Sequence, residues 1–176
     1  VTASADHSDF SLNIRVYYED TDFGGVVYYA NYLKFMERAR TEYLRSLGFD
    51  QSELFVNHRR QFVVRSASVE FVSPARFDDV LAVDAKISNV RRASLEFTQR
   101  CILVDKASGA TTGDNEIFSG TATSGNKEAV AGTTDGIDAS PSGRLVATGQ
   151  LLIACLDADS HKPRAIPEEL KKSLHR

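Results

Sequence analysis

One long helical stripe stands alone in a chain that otherwise reads as sheet, and it opens directly behind a Gly-Gly break. Tyr29, Tyr32, Leu33, Met36, Ala39, Arg40, Tyr43, Leu44 and Leu47 recur every three or four residues. Eight of these nine are apolar or aromatic, so one face of a helix from Tyr29 to Leu47 is a core face. Gly48 stands where a glycine past the last turn would end it. Ahead of it, Leu12 to Tyr18 begins with apolar/polar alternation and is rich in β-branched and aromatic residues, so a strand is predicted there. Gly24 and Gly25 separate the two, and paired glycines permit positive φ and close approach.

The remainder reads mostly as sheet. Asp50 and Glu53 have capping-box spacing for a short helix over 51–56. Strands are predicted from Gln61 to Ser73, Val80 to Val90, Ala93 to Asp105 and Arg144 to Asp157. Pro74 to Asp79 reads as a turn, and Arg91-Arg92 joins the second and third of these strands. Pro167 can open a short C-terminal helix ending at His175. One long helix followed by antiparallel strands gives an α+β class in a single domain over 11–176. Residues 1–10 read as a flexible tail. Residues 107–143 hold seven of the eleven glycines, with five acids and one lysine, and read as a flexible insertion.

Composition excludes several classes. A net charge of −3 argues against general nucleic-acid binding. No apolar run approaches the roughly 18–20 residues of a membrane span. The segment Val1 to Asp9 lacks the basic and apolar regions of a signal peptide, so a cytoplasmic location is expected. Cys101 and Cys155 have no zinc-ligand spacing and read as reduced core residues. The chain has no Gly-x-Ser-x-Gly elbow, no P-loop and no His-Glu-x-x-His motif. No metal or other cofactor is expected.

The chemistry concentrates just before the long helix. Asp20 and Asp22 precede the glycines, so an acid is aimed at a helix start, where unpaired N–H groups and a positive dipole end favour a developing negative charge. Asp20-Thr21-Asp22, Gly24-Gly25-Val26-Val27-Tyr28, Tyr32-Leu33 and Glu37-Arg38-Ala39-Arg40-Thr41-Glu42 together resemble the hotdog-fold thioesterases of the 4-hydroxybenzoyl-CoA thioesterase type. Among these, the chain is most similar to the Tol-Pal-associated (YbgC-like) acyl-CoA thioesterases. The resemblance continues through Phe62-Val63-Val64-Arg65, Val69-Glu70-Phe71, Pro74-Ala75-Arg76, Phe97-Thr98-Gln99-Arg100 and Lys162-Pro163-Arg164-Ala165-Ile166-Pro167.

The resemblance implies a curved antiparallel sheet wrapped around the helix, and hydrolysis of acyl-CoA thioesters to acid and CoA. It places the catalytic carboxylate at Asp22, as general base or as nucleophile. It assigns the oxyanion donor to the backbone N–H of Tyr29. Gly25, Val26 and Tyr28 would form the acyl pocket. Arg91, Arg92, Ser94, Lys162 and Arg164 would contact CoA, because a guanidinium fork suits phosphate. Several relatives carry His at the position of Tyr29. Glu37 and Arg40, three apart, read as a structural ion pair, and Asp20 as a residue that orders the loop. Homo-oligomers are implied, dimers extending to tetramers, with each site drawn from two chains. An acyl carrier protein is an alternative substrate carrier. A hotdog dehydratase needs a His near the helix, whereas His7, His58, His161 and His175 lie outside Asp20–Leu47. A non-catalytic acyl-CoA binder has no need of Asp22.

Overall fold

A computed structural model describes residues 10–104 and 143–174. The strands are β1 (Phe10–Arg15), β2 (Arg60–Phe71), β3 (Val80–Val90), β4 (Ser94–Val104) and β5 (Gly143–Asp157). The helices are α1 (Tyr29–Ser46), α2 (Gln51–His58) and α3 (Glu168–Ser173). The five strands form one antiparallel sheet in the order β1-β3-β4-β5-β2. The α+β expectation therefore holds. The insertion expected over 107–143 lies outside the described residues except for Gly143, which opens β5. The tail expected over 1–10 also lies outside them except for Phe10. That residue belongs to β1, with its ring 5.6 Å from that of Tyr43.

The topology dictates where α1 must go. It leaves β1 at one edge of the sheet and leads to β2 at the other. It therefore crosses the sheet face, and its buried side is the core. Phe35, Met36 and Ala39 are fully buried, with Tyr32, Tyr43 and Leu44 nearly so. They pack on Leu81, Val83, Ala85, Leu95, Phe97, Cys101, Leu151 and Ile153. Side chains of this size each contribute roughly 1.5–3 kcal/mol when fully buried. Gly149 permits the closest approach of helix and sheet. A Cβ there would sit 2.7 Å from Met36 Sδ.

Several sequence expectations are corrected. The buried face of α1 is rotated: Phe35 is inside, whereas Tyr29 and Leu33 are exposed. Tyr29 instead meets Phe71 of β2 edge-on. The first strand stops at Arg15, short of Tyr18. The Asp20 carboxylate accepts the Tyr17 N–H at 2.9 Å, and Tyr18–Asp20 folds into a 3-10 turn. Arg40 does not pair with Glu37. It is buried and donates to Gln99 Oε1 at 2.7 Å, while Glu37 accepts from Thr41. Gln99, itself fully buried, donates to the carbonyls of Met36 and Asp84, tying α1 to β3 through β4. Asp50 caps α2 by accepting from Ser52 N and Glu53 N. Both cysteines are free and buried, and burial pushes the Cys101 thiol up to about 12.

The helix-to-sheet spacing at Gly149 gives a direct test. Gly149→Val should destabilise the protein by about 1–3 kcal/mol through overpacking. A second change, Met36→Ala, should recover part of that loss in thermal unfolding, because it vacates the volume the new side chain needs.

Candidate active site

The loop between the 3-10 turn and α1 is closed by its own backbone. Thr21 and Val27 form an antiparallel bridge, and Asp22 N donates to Val26 O at 2.9 Å. Gly25 N donates back to Asp22 O at 2.9 Å with φ at +71°, a conformation that costs a side-chain-bearing residue. Gly24 N donates to Asp22 Oδ1 at 2.8 Å. One carboxylate oxygen is thus anchored, and Oδ2 has no hydrogen-bond partner among the described residues. Asp22 is exposed, so that oxygen faces solvent.

The helix start is held from behind. The Asp20 carbonyl accepts from Tyr28 N at 2.9 Å and from Asn31 Nδ2 at 2.9 Å. Asn31 and Asp20 are both buried. Tyr28 occupies the N-cap position with extended backbone and makes no side-chain cap. A Ser or Asp there would consume an amide. Tyr28 leaves the N–H groups of Tyr29 and Ala30 without an acceptor among the described residues. The loop-ordering expectation for Asp20 agrees with this geometry. Asn31 was not anticipated, although a polar residue in the first turn of an otherwise apolar stripe is a readable signal.

Aromatic rings line one side of this loop. Tyr28 and Tyr29 lie with centroids 4.5 Å apart. Tyr29 meets Phe71 of β2 edge-on at 6.3 Å, and Tyr32 meets the same ring at 5.6 Å. Tyr32 Oη also accepts from Ala75 N, which fixes the β2–β3 connection against α1. Val26 is half-buried beside Gly25, and Val27 N donates to Ala75 O. Asp22, Gly25, Val26, Tyr28 and Tyr29 therefore meet at one place. The sequence reading missed Phe71 as a member of this wall.

The five residues expected to contact CoA also gather, but at the far end of the sheet. Arg91 and Ser94 close the β3–β4 turn, with Arg91 N donating to Ser94 O at 2.8 Å. Ile166 N donates to Arg92 O, and Arg164 N to Cys155 O, which brings the segment holding Lys162 and Arg164 to the same end. Arg91 pairs with Glu96 at 2.5 Å, and Arg164 pairs with Asp157. Backbone and side-chain bonds from Ser160, with Arg164 behind them, hold the Asp157 carboxyl well below its usual range. Arg92 and Lys162 have no ion pair among the described residues. The Asp22 loop lies beyond the opposite end of β3, a strand of 11 residues that is roughly 33 Å long at about 3.3 Å per residue.

One antiparallel five-stranded sheet with a long helix packed across its face is the arrangement of the hotdog thioesterase class. The model of the Thioesterase superfamily matches residues 24–109. An acyl-CoA thioesterase YbgC from Haemophilus influenzae is 36% identical over 94% of this chain and 94% of its own length. An acyl-CoA thioester hydrolase YbgC from Escherichia coli O6:H1 is 36% identical over 92% of each chain. A probable thioesterase from Bartonella henselae, of known crystal structure, superposes with a TM-score of 0.65 at 28% identity, covering 90% of this chain and 99% of its own. The chain belongs to the thioesterase superfamily and is an enzyme of that class.

The anchoring of Asp22 is open to test. A Cβ at Gly24 would lie 3.1 Å from Asp22 Oδ1, so Gly24→Ala must displace the carboxylate. Turnover should fall by about tenfold or more, since small misplacements of reacting groups carry large rate costs. Thermal stability should change by less than about 1 kcal/mol, because the residue is exposed.

Proposed function

We propose that this protein hydrolyses acyl-CoA thioesters to the free acid and CoA. The observation that carries the reading is the Asp22 carboxylate, anchored through Oδ1 and open at Oδ2, next to the uncapped start of α1. The names of the two YbgC relatives supply the substrate class. Asp22 either takes a proton from water or attacks the carbonyl itself. Both routes pass through an oxyanion, and the free amide of Tyr29 is the donor suited to receive it. Gly25, Val26 and Tyr28 lie around the reacting carbonyl in this reading.

The distance between Asp22 and the basic end of the sheet supports a two-chain site. The outer edge of β2 is unpaired among the described residues, and β2 is the longest edge strand. One of its ends, Phe71, belongs to the Asp22 site. The other, Arg60, donates to the Ala165 carbonyl, between Arg164 and Ile166. Antiparallel pairing of two β2 edges about a two-fold axis sets the Asp22 end of one copy against the Arg92 end of the other. The exposed Phe55, Val56, Val64 and Val72 would be covered in the same step. Arg92 and Lys162, the unpaired cations, then meet the CoA phosphates, with Arg91, Ser94 and Arg164 beside them. Tetramers of such pairs are the expected assembly. No helix among the described residues is long and apolar enough to cross a membrane.

Thiol release from a panel of short, long and aromatic acyl-CoA and acyl-carrier-protein thioesters tests this reading. Wild type should turn over at least one CoA ester, and Asp22→Asn should lose about 10²–10⁴-fold. Equal release by the two proteins removes Asp22 from the chemistry. Binding without hydrolysis by wild type identifies a binding module instead. Separately, Ala67→Pro on the free edge of β2 should yield monomers in sedimentation, with activity lost.

A further inference from the structure

We propose that the cavity between α1 and β2 is a binding site for a short-chain carboxylate, with the buried Arg40 guanidinium as its anion receptor. This inference goes beyond the hydrolase reading above and stands whether or not that reading holds.

The cavity follows from how α1 sits on the sheet. The helix packs on β1, β3 and β4, and less closely on β2. A space of about 90 Å³ is left between its C-terminal half and the sheet. Leu95, Phe97 and Ile153 make its apolar floor, and Glu37, Arg40, Thr41 and Gln51 its polar wall. A single water needs roughly 10–15 Å³ of such space, so about six heavy atoms fit, the size of butyrate. Arg40 follows Tyr29 by roughly 16 Å along the helix, at about 1.5 Å per residue. The cavity is thus apart from the Asp22 loop of the same chain.

Three of the polar groups satisfy one another. Gln51 Nε2 donates to Thr41 Oγ1 at 2.9 Å, and Thr41 donates its proton to Glu37 Oε1 at 2.8 Å. Arg40 is different. It is only 7% exposed, and a guanidinium keeps its charge at any working pH. Its Nη1 donates to Gln99 Oε1, part of a neutral amide. Its Nε and Nη2 have no acceptor, and no carboxylate pairs with it, among the described residues. Burial lowers its pKa, and the charge of Glu37 opposes that only in part. A buried cation without a counterion is strongly disfavoured, and an anion in the cavity relieves that cost. A carboxylate fits it well, because its two oxygens accept in parallel from one guanidinium edge. The apolar floor calls for a short hydrocarbon chain behind that group. Inorganic phosphate would leave the floor against water, and Glu37 repels a dianion more than a monoanion.

Isothermal titration calorimetry with sodium butyrate and with butyramide tests the proposal without reference to hydrolysis. Wild type should bind butyrate once per chain with a Kd on the order of 1 mM. Butyramide should bind about tenfold more weakly or worse, since the amide lacks the charge. Arg40→Met removes the cation, and Gln51→Trp fills the cavity while leaving Arg40 and Gln99 in place. Each should weaken butyrate binding by about tenfold or more, and Arg40→Met should no longer tell the acid from the amide. If Arg40→Met does not fold, Gln51→Trp and the amide carry the test. No butyrate heat in wild type, equal affinity for acid and amide, or binding that survives Gln51→Trp overturns the proposal. The last of these assigns the acid to the exposed cations Arg92 and Lys162 instead.

Discussion

The carbonyl of Asp20 accepts two hydrogen bonds, from the Tyr28 N–H and the Asn31 side chain, and these fix where α1 begins. The loop that carries Asp22 is strung between that anchor and the Thr21–Val27 bridge. Its geometry is therefore set before any ligand arrives, which is what a preorganised site requires. The carboxylate of Asp20 turns the other way and holds Tyr17 N, so one residue organises both sides of the loop. Without it the N-terminus of α1 has no reason to stop at Tyr28, and the amides of the first turn have no fixed direction.

Packing behind the site makes the helix position equally firm. Gly149 lets Met36 press onto β5, and Gln99 accepts a hydrogen bond from the buried Arg40 guanidinium. A buried donor that loses its acceptor costs about 1–3 kcal/mol, so Arg40 and Gln99 are coupled choices. Gln99 also bonds the Met36 carbonyl, which sits on the same turn as the Gly149 contact. Rigid support of this kind allows the front of the helix to stay uncapped and solvent-facing.

Much of this was legible in the sequence, for identifiable reasons. The Gly-Gly break, the single helical stripe and the strand spacing depend on local rules, and each appears within a few residues of its expected place. Asp22, Gly25, Val26, Tyr28 and Tyr29 are near neighbours in sequence, so their meeting required only the loop. The errors share a different cause. Phe35 against Leu33, and Gln99 against Glu37 as the partner of Arg40, are decided by which side of α1 the sheet covers. That is a long-range fact that helical spacing does not contain. The end of β1 was overrun because the Asp20–Tyr17 bond competes with strand propensity. Arg91, Arg92, Ser94, Lys162 and Arg164 did gather, but at the end of the sheet away from Asp22, which local sequence rules do not contain and only the family resemblance hinted at.

That separation turns the account into one about two chains. In the proposed two-chain site, Asp22 would supply the chemistry from one copy, and Arg92 and Lys162 would receive the nucleotide from the other. Subunit mixing reads this most directly. Asp22→Asn and Arg92→Glu chains, each impaired alone, should be unfolded together, refolded and assayed for acyl-CoA hydrolysis at low substrate. The mixture should regain about a quarter of wild-type activity, because half of the random pairs carry one site free of both changes. Activity equal to the mean of the two parents would place Asp22 and Arg92 in the same chain's site and contradict the account.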